Sequence, residues 1–404
     1  MGNANPRAKP ATHRAALIPD MQKTPNPNRL YEIDLLRFVA ALSVVLYHYA
    51  FRGHAADNMT VMPYPSIAPV AKYGYLGVDM FFMISGFVIF MTVSAGSARR
   101  FVISRVVRLY PAFWVCCTVT FIVSLIAGGA VYPVSWYQYA INMTMLGGLT
   151  KVEYIDSVYW SLFLEMKFYA LVFILLILRK MDAAKNLLGL WLIIVIALSQ
   201  WKIRYIGFVF IPEYAHYFIA GAMFYLVHKQ GVCFYKMFII IVSYVVAIKA
   251  ALEKALSMGV HYHTQFETIT IIIAISVFYI IFLLMSTGFT KNFSSERWLL
   301  LGALTYPLYL IHQNIGYMIF NLAYPLINPH VIMLGTITTM LLAAYIIDVK
   351  IERPYSRAIK LALEWLLGAS NNRANRPPSP EQADKDINSD EKENAHTHQT
   401  FDKG

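Results

Sequence analysis

Ten stretches of the chain are apolar over about the 20 residues that a helix needs to cross a bilayer: 31–51, 75–95, 109–129, 158–178, 186–200, 205–227, 233–251, 267–287, 298–320 and 331–348. The stretch 186–200 is short, and 135–149 reads as a re-entrant or interfacial piece. The pattern predicts an all-α, polytopic integral membrane protein of about ten transmembrane helices. No internal repeat is visible. Polar sequence frames the apolar part. Residues 1–29 carry five prolines and no apolar core, which predicts a disordered arm, and 369–404 are rich in Asn, Asp, Glu, Lys and Pro, which predicts a disordered tail. The first apolar segment is long, contains Arg37 and lacks a small-residue cleavage site, so it is not expected to be a signal peptide. Between 353 and 368 Arg357, Lys360 and Glu364 share one helical face and Ile359, Leu363, Trp365 and Leu366 take other positions, as in a helix lying along the membrane interface. Residues 30–352 form the membrane domain.

Composition removes the alternatives. At 58% hydrophobic and 14% charged residues, the chain lies far from the roughly 45–50% and 25% of soluble domains. Cys116, Cys117 and Cys233 are too few for a disulfide framework or a cysteine-based zinc site, and no metal is expected. The net charge of +11 could suggest nucleic acid, but its distribution follows the membrane. One side carries 20 Lys and Arg, from Arg7 to Lys360; the other carries 7, namely Arg52, Lys72, Lys151, Lys202, Arg204, Lys249 and Lys254. Both termini are therefore expected in the cytoplasm, with no nucleic-acid partner.

Ionisable groups at membrane depth mark function by default. Arg37 and His48 are eleven residues apart in the first span, which places them on one helical face about 16 Å apart along the axis. Asp34 offers Arg37 a structural partner instead. The second span holds Asp79, Ser85 and Gly86, of which the small residues equally serve close packing. Arg105 and Arg108 stand one turn apart at the cytoplasmic mouth, before Pro111. They are either topology anchors or a phosphate clamp, since a guanidinium fork matches phosphate oxygens. In VYWSLFLEMKFYA, residues Ser161, Glu165 and Tyr169 share a face while Lys167 points elsewhere. Glu213 and His216 are three residues apart on one face, either a functional group or a structural hydrogen-bonded pair; His312 follows Pro307, a candidate kink. At about 1.5 Å per residue, His48, His312, Glu165 and Asp79 are expected to converge in the outer half of the bilayer. Arg37, Arg105 and Arg108 are expected near the inner face.

These motifs resemble the acyltransferase 3 family of membrane-bound acyltransferases. The opening IDLLRFVAALSVVLYH carries its Arg-X10-His pattern at Arg37 and His48. FFMISGF at 81–87, Arg105-X-X-Arg108 with LYP, WSLFLE at 160–165, YPLYLIH at 306–312 and IERP at 351–354 follow in order, so the resemblance covers about residues 30–355. Some members carry a fused extracytoplasmic hydrolase-like domain; the short polar tail predicted here leaves any transfer to the membrane domain or a separate partner.

The resemblance implies an O-acyltransferase that moves an acyl group, often acetyl from acetyl-CoA, to a hydroxyl of a glycan or lipid-linked sugar at the bacterial inner membrane. It further implies that Arg105 and Arg108 hold the CoA phosphates and that His48 is the general base, its reference pKa of about 6.5 suiting proton transfer at neutral pH. Glu165 then orients His48 or the sugar, Arg37 or His312 supports the reacting groups, and Asp79, Ser85, Trp160 and Ser161 contact substrate. No tightly bound cofactor is expected, and glycan-biosynthesis proteins are candidate partners. Transfer either direct or through an acyl-histidine fits. Buried Arg, Glu and His would equally serve a secondary transporter or flippase; a silent sensor or scaffold would not need Arg37 together with His48.

Overall fold

The structure, a computed structural model, describes residues 30–93, 97–201 and 204–367, and every regular element among them is helical. α1 (Glu32–Tyr47) closes in a π-helical turn, His48–Arg52, and a loop leads through the short α2 (Ala68–Ala71) into α3 (Leu76–Val93). α4 (Ala98–Ala127) and the seven-residue α5 (Trp136–Asn142) precede α6 (Tyr159–Ile177), α7 (Ala184–Trp201) and α8 (Arg204–Phe210). α9 (Ala215–Gln230), α10 (Phe234–His261), α11 (Thr268–Ser286) and α12 (Trp298–Ala323) follow. α13 (Pro329–Ile347) runs through a second π-helical turn, Asp348–Glu352, into α14 (Arg353–Leu366).

Among the described residues eight helical segments are long and apolar enough to cross a membrane. The expected ten also counted 205–227 and 298–320; the first holds only the 16-residue α9, and the second, the 26-residue α12, carries polar side chains. α9 is buried from Ala215 to Val227, and α12 buries His312, Gln313 and Asn314. A helix surrounded by protein needs no lipid-compatible surface, so the hydropathy rule loses its force there. The stretch 205–227 is moreover not one helix. It breaks between α8 and α9, where Ile211 takes φ +55° ahead of Pro212. A β-branched residue with positive φ is a strained position that ends the helix.

Two further boundaries move. α4 begins at Ala98 rather than 109 and continues through Pro111, so Arg105 and Arg108 lie within a 30-residue helix instead of in front of it. The stretch 135–149 contains α5, capped by Ser135 and Gln138, and a 3-10 turn at Gly147–Leu149. α14 is amphipathic as expected, buries no residue, and lies along α4, where Ser356 Oγ donates to the Val107 carbonyl at 3.0 Å. The predicted arm 1–29 and tail 369–404 lie outside the described residues.

The centre of the bundle is set by glycines that let backbones touch. A Cβ on Gly221 of α9 would run into the Met83 carbonyl of α3, and one on Gly86 into the Phe218 carbonyl of α9. Gly302 and Gly316 of α12 instead make room for side chains, those of Asp34 on α1 and Tyr49 in the π-helical turn. Small residues at such crossings are the usual means of helix association in a bilayer. Gly221→Val is expected to cost at least about 3 kcal/mol, read as a lower melting temperature in detergent. Gly335→Ala, where nothing lies within 4 Å of the added carbon, is expected to leave the melting temperature unchanged or slightly raised.

Candidate active site

α1 and α12 carry the site between them. On α12, Thr305, Tyr306 and Tyr309 line a cavity of about 390 Å³. One turn further along the same face, His312 and Gln313 meet the π-helical turn of α1. On α1, Arg37 faces the cavity and His48 the histidine of α12. The eleven-residue spacing thus joins a cavity at one level to an imidazole pair at another.

The cavity gathers Arg37, Ser85, Arg105, Arg108, Ser161 and Glu165, six of the residues singled out by sequence. Ser161, Glu165 and Tyr169 line it together, as their four-residue spacing requires, while Lys167 does not. Glu165 Oε1 accepts hydrogen bonds from Ser85 Oγ and Tyr169 Oη, both at 2.6 Å. Glu165 therefore organises the cavity and makes no hydrogen bond to His48, which leaves the other expected role, orienting the sugar. The two arginines of α4 are not equivalent. Arg108 is ion-paired with Glu352 in the second π-helical turn, and its guanidinium lies over the Tyr306 ring. Arg105 donates from Nε to Ser104 Oγ at 3.2 Å and stacks over Phe101 and Tyr169, and among the described residues no carboxylate pairs with it. Its remaining fork is the one available to an anion.

The histidine pair has one consistent tautomer. His312 Nδ1 lies 2.8 Å from the Tyr309 carbonyl and 3.2 Å from that of Leu308, so this nitrogen carries a proton. His312 Nε2 is then an acceptor, and at 2.8 Å it accepts a hydrogen bond from His48 Nδ1–H. What remains on His48 is a lone pair at Nε2, and Arg52 Nη1, a donor, stands 3.4 Å from it. Around this centre, Arg52 Nη1 also donates to Ser157 Oγ at 3.2 Å and Gln313 Oε1 at 3.1 Å, and its Nε to Asp57 at 3.0 Å. Tyr317 Oη holds the His48 carbonyl at 3.1 Å, and Tyr49 Oη that of His312 at 2.6 Å. In the segment before α6, Asp156 accepts the backbone N–H of Asn314 at 3.0 Å and of Val158 at 3.2 Å. Burial pushes its carboxyl up to about 6 even so.

Tyr309 stands between cavity and imidazoles. Its hydroxyl meets Ser161 Oγ at 2.7 Å, and its ring centroid lies 5.6 Å from that of Phe81 and 5.8 Å from that of His312.

The remaining predicted residues lie elsewhere. Asp79 is buried against α10, its carboxylate 3.6 Å from Lys254 Nζ, and takes no part in a convergence of four helices. Lys254 had weighed only as a topology charge. Trp160 lines a second groove on the other side of α6. Glu213 falls in the break before α9 and is exposed while His216 is buried with neither ring nitrogen hydrogen-bonded, so the expected pair does not form. Sequence reasoning missed Arg52, Ser157, Tyr309 and Glu352. Two signals for them were present, the i, i+4 spacing of His48 and Arg52 and the tyrosine inside YPLYLIH.

Residues 30–349 match the model of the acyltransferase 3 family, described as an acyltransferase domain. The chain belongs to the acyltransferase 3 family. A stretch of 186 residues is 28% identical to a protein of Komagataeibacter xylinus assigned as the membrane-bound transacylase BcsY, covering 40% of each chain. Over 216 residues it is 26% identical to the peptidoglycan O-acetyltransferase OatA of Listeria monocytogenes, covering 48% of this chain and 31% of that one. The chain thus aligns with less than half the length of either relative. No solved structure matches it. Residues 30–349 are thus an acyltransferase domain of this family, built on helices long and apolar enough to cross a membrane.

Proposed function

We propose that this acyltransferase takes an acyl group, acetyl in the first instance, from cytoplasmic acyl-CoA and gives it to a hydroxyl of a glycan or lipid-linked sugar on the far side of a bacterial inner membrane. The observation that carries the reading is the arrangement along α1 and α12. A cavity bearing three arginines lies at one level and a histidine with an outward lone pair at the other, with Tyr309 between them. Arg105 and Arg37 suit the phosphates of the donor, because charge-assisted bonds from guanidinium forks are the strong form of anion recognition. An extended thioester arm passing Tyr309 would bring its carbonyl toward His48.

His48 Nε2 then removes the proton of the acceptor hydroxyl as its oxygen attacks the thioester carbon. The C–S bond breaks, and the imidazolium returns the proton to the departing thiolate. His312 holds His48 in the tautomer that leaves Nε2 basic. A protonated His48 beside Arg52 would be repelled, so the acceptor must take the position Arg52 Nη1 occupies. No step requires a metal or redox group. With 20 basic residues on one side against 7, both termini are proposed to face the cytoplasm. Deleting the gene is expected to remove the mass of one acyl group from an envelope glycan or its lipid-linked precursor, read by mass spectrometry. Restoring the gene should restore that mass; unchanged spectra would sink the reading.

A further inference from the structure

Two hollows follow each other along the seam between α6 and α7. The larger, about 1460 Å³, is lined on α6 by Trp160, Phe163 and Lys167 and on α7 by Val195 and Leu198, with Glu213, Lys249 and Glu253 adding charge. The smaller, about 270 Å³, continues along the same faces at Leu171 and Leu175 of α6 and Leu188 and Trp191 of α7, and every side chain lining it is aliphatic or aromatic. The spacing 160, 163, 167, 171, 175 is one helical stripe, so the polar groove and the apolar slot form one path down the outside of α6.

Lys167 marks the boundary between them. Its ammonium rests 4.5 Å from the Phe208 ring centroid and donates to the Phe208 carbonyl at 2.9 Å. Among the described residues no carboxylate lies within ion-pair distance of it, although Glu213 of the same groove is near enough to act on its charge; Lys249 is paired with Glu253 at 3.8 Å. A cation lining the groove, one turn before the apolar slot at Leu171, suits an anion that joins a polar body to a hydrocarbon chain.

The first turn of α6 ties this seam to the chemistry. Ser157 touches Arg52 beside His48, Trp160 lines the groove, and Ser161 lines the arginine cavity. Five consecutive residues therefore reach three places, and one short segment of chain joins the groove, the arginine cavity and the group beside His48.

We infer that the α6–α7 seam is the acceptor site and that the acceptor is lipid-linked. The hydrocarbon chain lies in the slot, the phosphate that joins it to the sugar meets Lys167, and the sugar lies in the groove against Trp160. The inference rests on the proposed acyl transfer for its purpose, but its test does not. Binding of farnesyl-phosphoryl-glucose to the full chain in detergent is followed by tryptophan fluorescence, to which Trp160 and Trp191 would report. Lys167→Gln and Leu175→Trp are each expected to weaken it at least tenfold, while acyl-CoA binds both variants as it binds the unaltered protein. Methyl glucoside and phosphatidylglycerol should compete poorly. Unchanged affinity in both variants, or equal competition by phosphatidylglycerol, would overturn the assignment, the latter marking a site for bulk lipid. If Leu175→Trp does not fold, Lys167→Gln adds no bulk and decides alone. Loss of binding in the variants of a protein that transfers no acyl group would uphold the seam and reject the transfer; efficient transfer to soluble glucan with unaltered farnesyl-phosphoryl-glucose affinity in the variants would do the reverse.

Discussion

Replacing His48 with alanine or glutamine is expected to lower acyl transfer by about 10²- to 10⁴-fold, the range that a positioned general base contributes. The substitution removes the single lone pair that the tautomer chain from the Tyr309 carbonyl through His312 leaves available. The fold should survive, because Tyr317 and Tyr49 hold this region through the backbone carbonyls of His48 and His312. The check is an initial-rate assay with labelled acyl-CoA in proteoliposomes, run beside a donor-binding measurement and a melting curve. Unchanged transfer would remove His48 from the mechanism. His312→Gln should lose less, because the base itself remains and only its tautomer and orientation are freed. A rate loss in His312→Gln equal to that of His48→Ala would point to a chemical role for His312 as well.

Arg105→Ala is expected to weaken acyl-CoA binding by about 10- to 100-fold, since a hydrogen bond to a charged group contributes about 1.5–3 kcal/mol. The melting temperature should change little, as among the described residues Arg105 pairs with no carboxylate. Arg108→Ala should behave differently. It strands Glu352, which is 7% exposed, without its partner, and an uncompensated buried charge costs about 3–5 kcal/mol. Isothermal titration with acyl-CoA and thermal melts on both variants separate the two. Donor affinity that survives Arg105→Ala would return Arg105 to the role of a topology anchor. Arg105→Lys should recover only part of the affinity, because an ammonium lacks the planar fork.

How much of this was legible in the sequence depended on how local the signal was. The stripe of Ser161, Glu165 and Tyr169 and the opposite aim of Lys167 follow from helical period alone, and the structure has them so. Arg37 with Arg105 and Arg108 in one cavity followed from depth, which rise per residue supplies. Depth says nothing about azimuth, however. Asp79 and Glu165 were placed beside His48 by height, yet Asp79 faces α10 and Glu165 faces α3. Which helices are neighbours is settled by contacts such as Gly221 against Met83, far apart in sequence. Lys254 could not be paired with Asp79 for the same reason. The apolar stretch was likewise carried across the break at Ile211, although Pro212 and Glu213 interrupt it there.

The π-helical turns give the histidine centre a mechanical character. Each is a helix carrying one residue more than its i, i+4 register allows, and each bears a side chain that holds an arginine or is held by one: His48 with Arg52, and Glu352 with Arg108. Slipping the first turn back to the ordinary register would rotate Arg52 by about 100° around the axis. That would carry it away from His48 Nε2, Ser157 and Gln313 together. Exposure of the lone pair is thereby coupled to a single step in backbone hydrogen bonding. The base sits where the helix is one residue out of its ordinary register, while α3 and α9 beside it are locked by glycine contact.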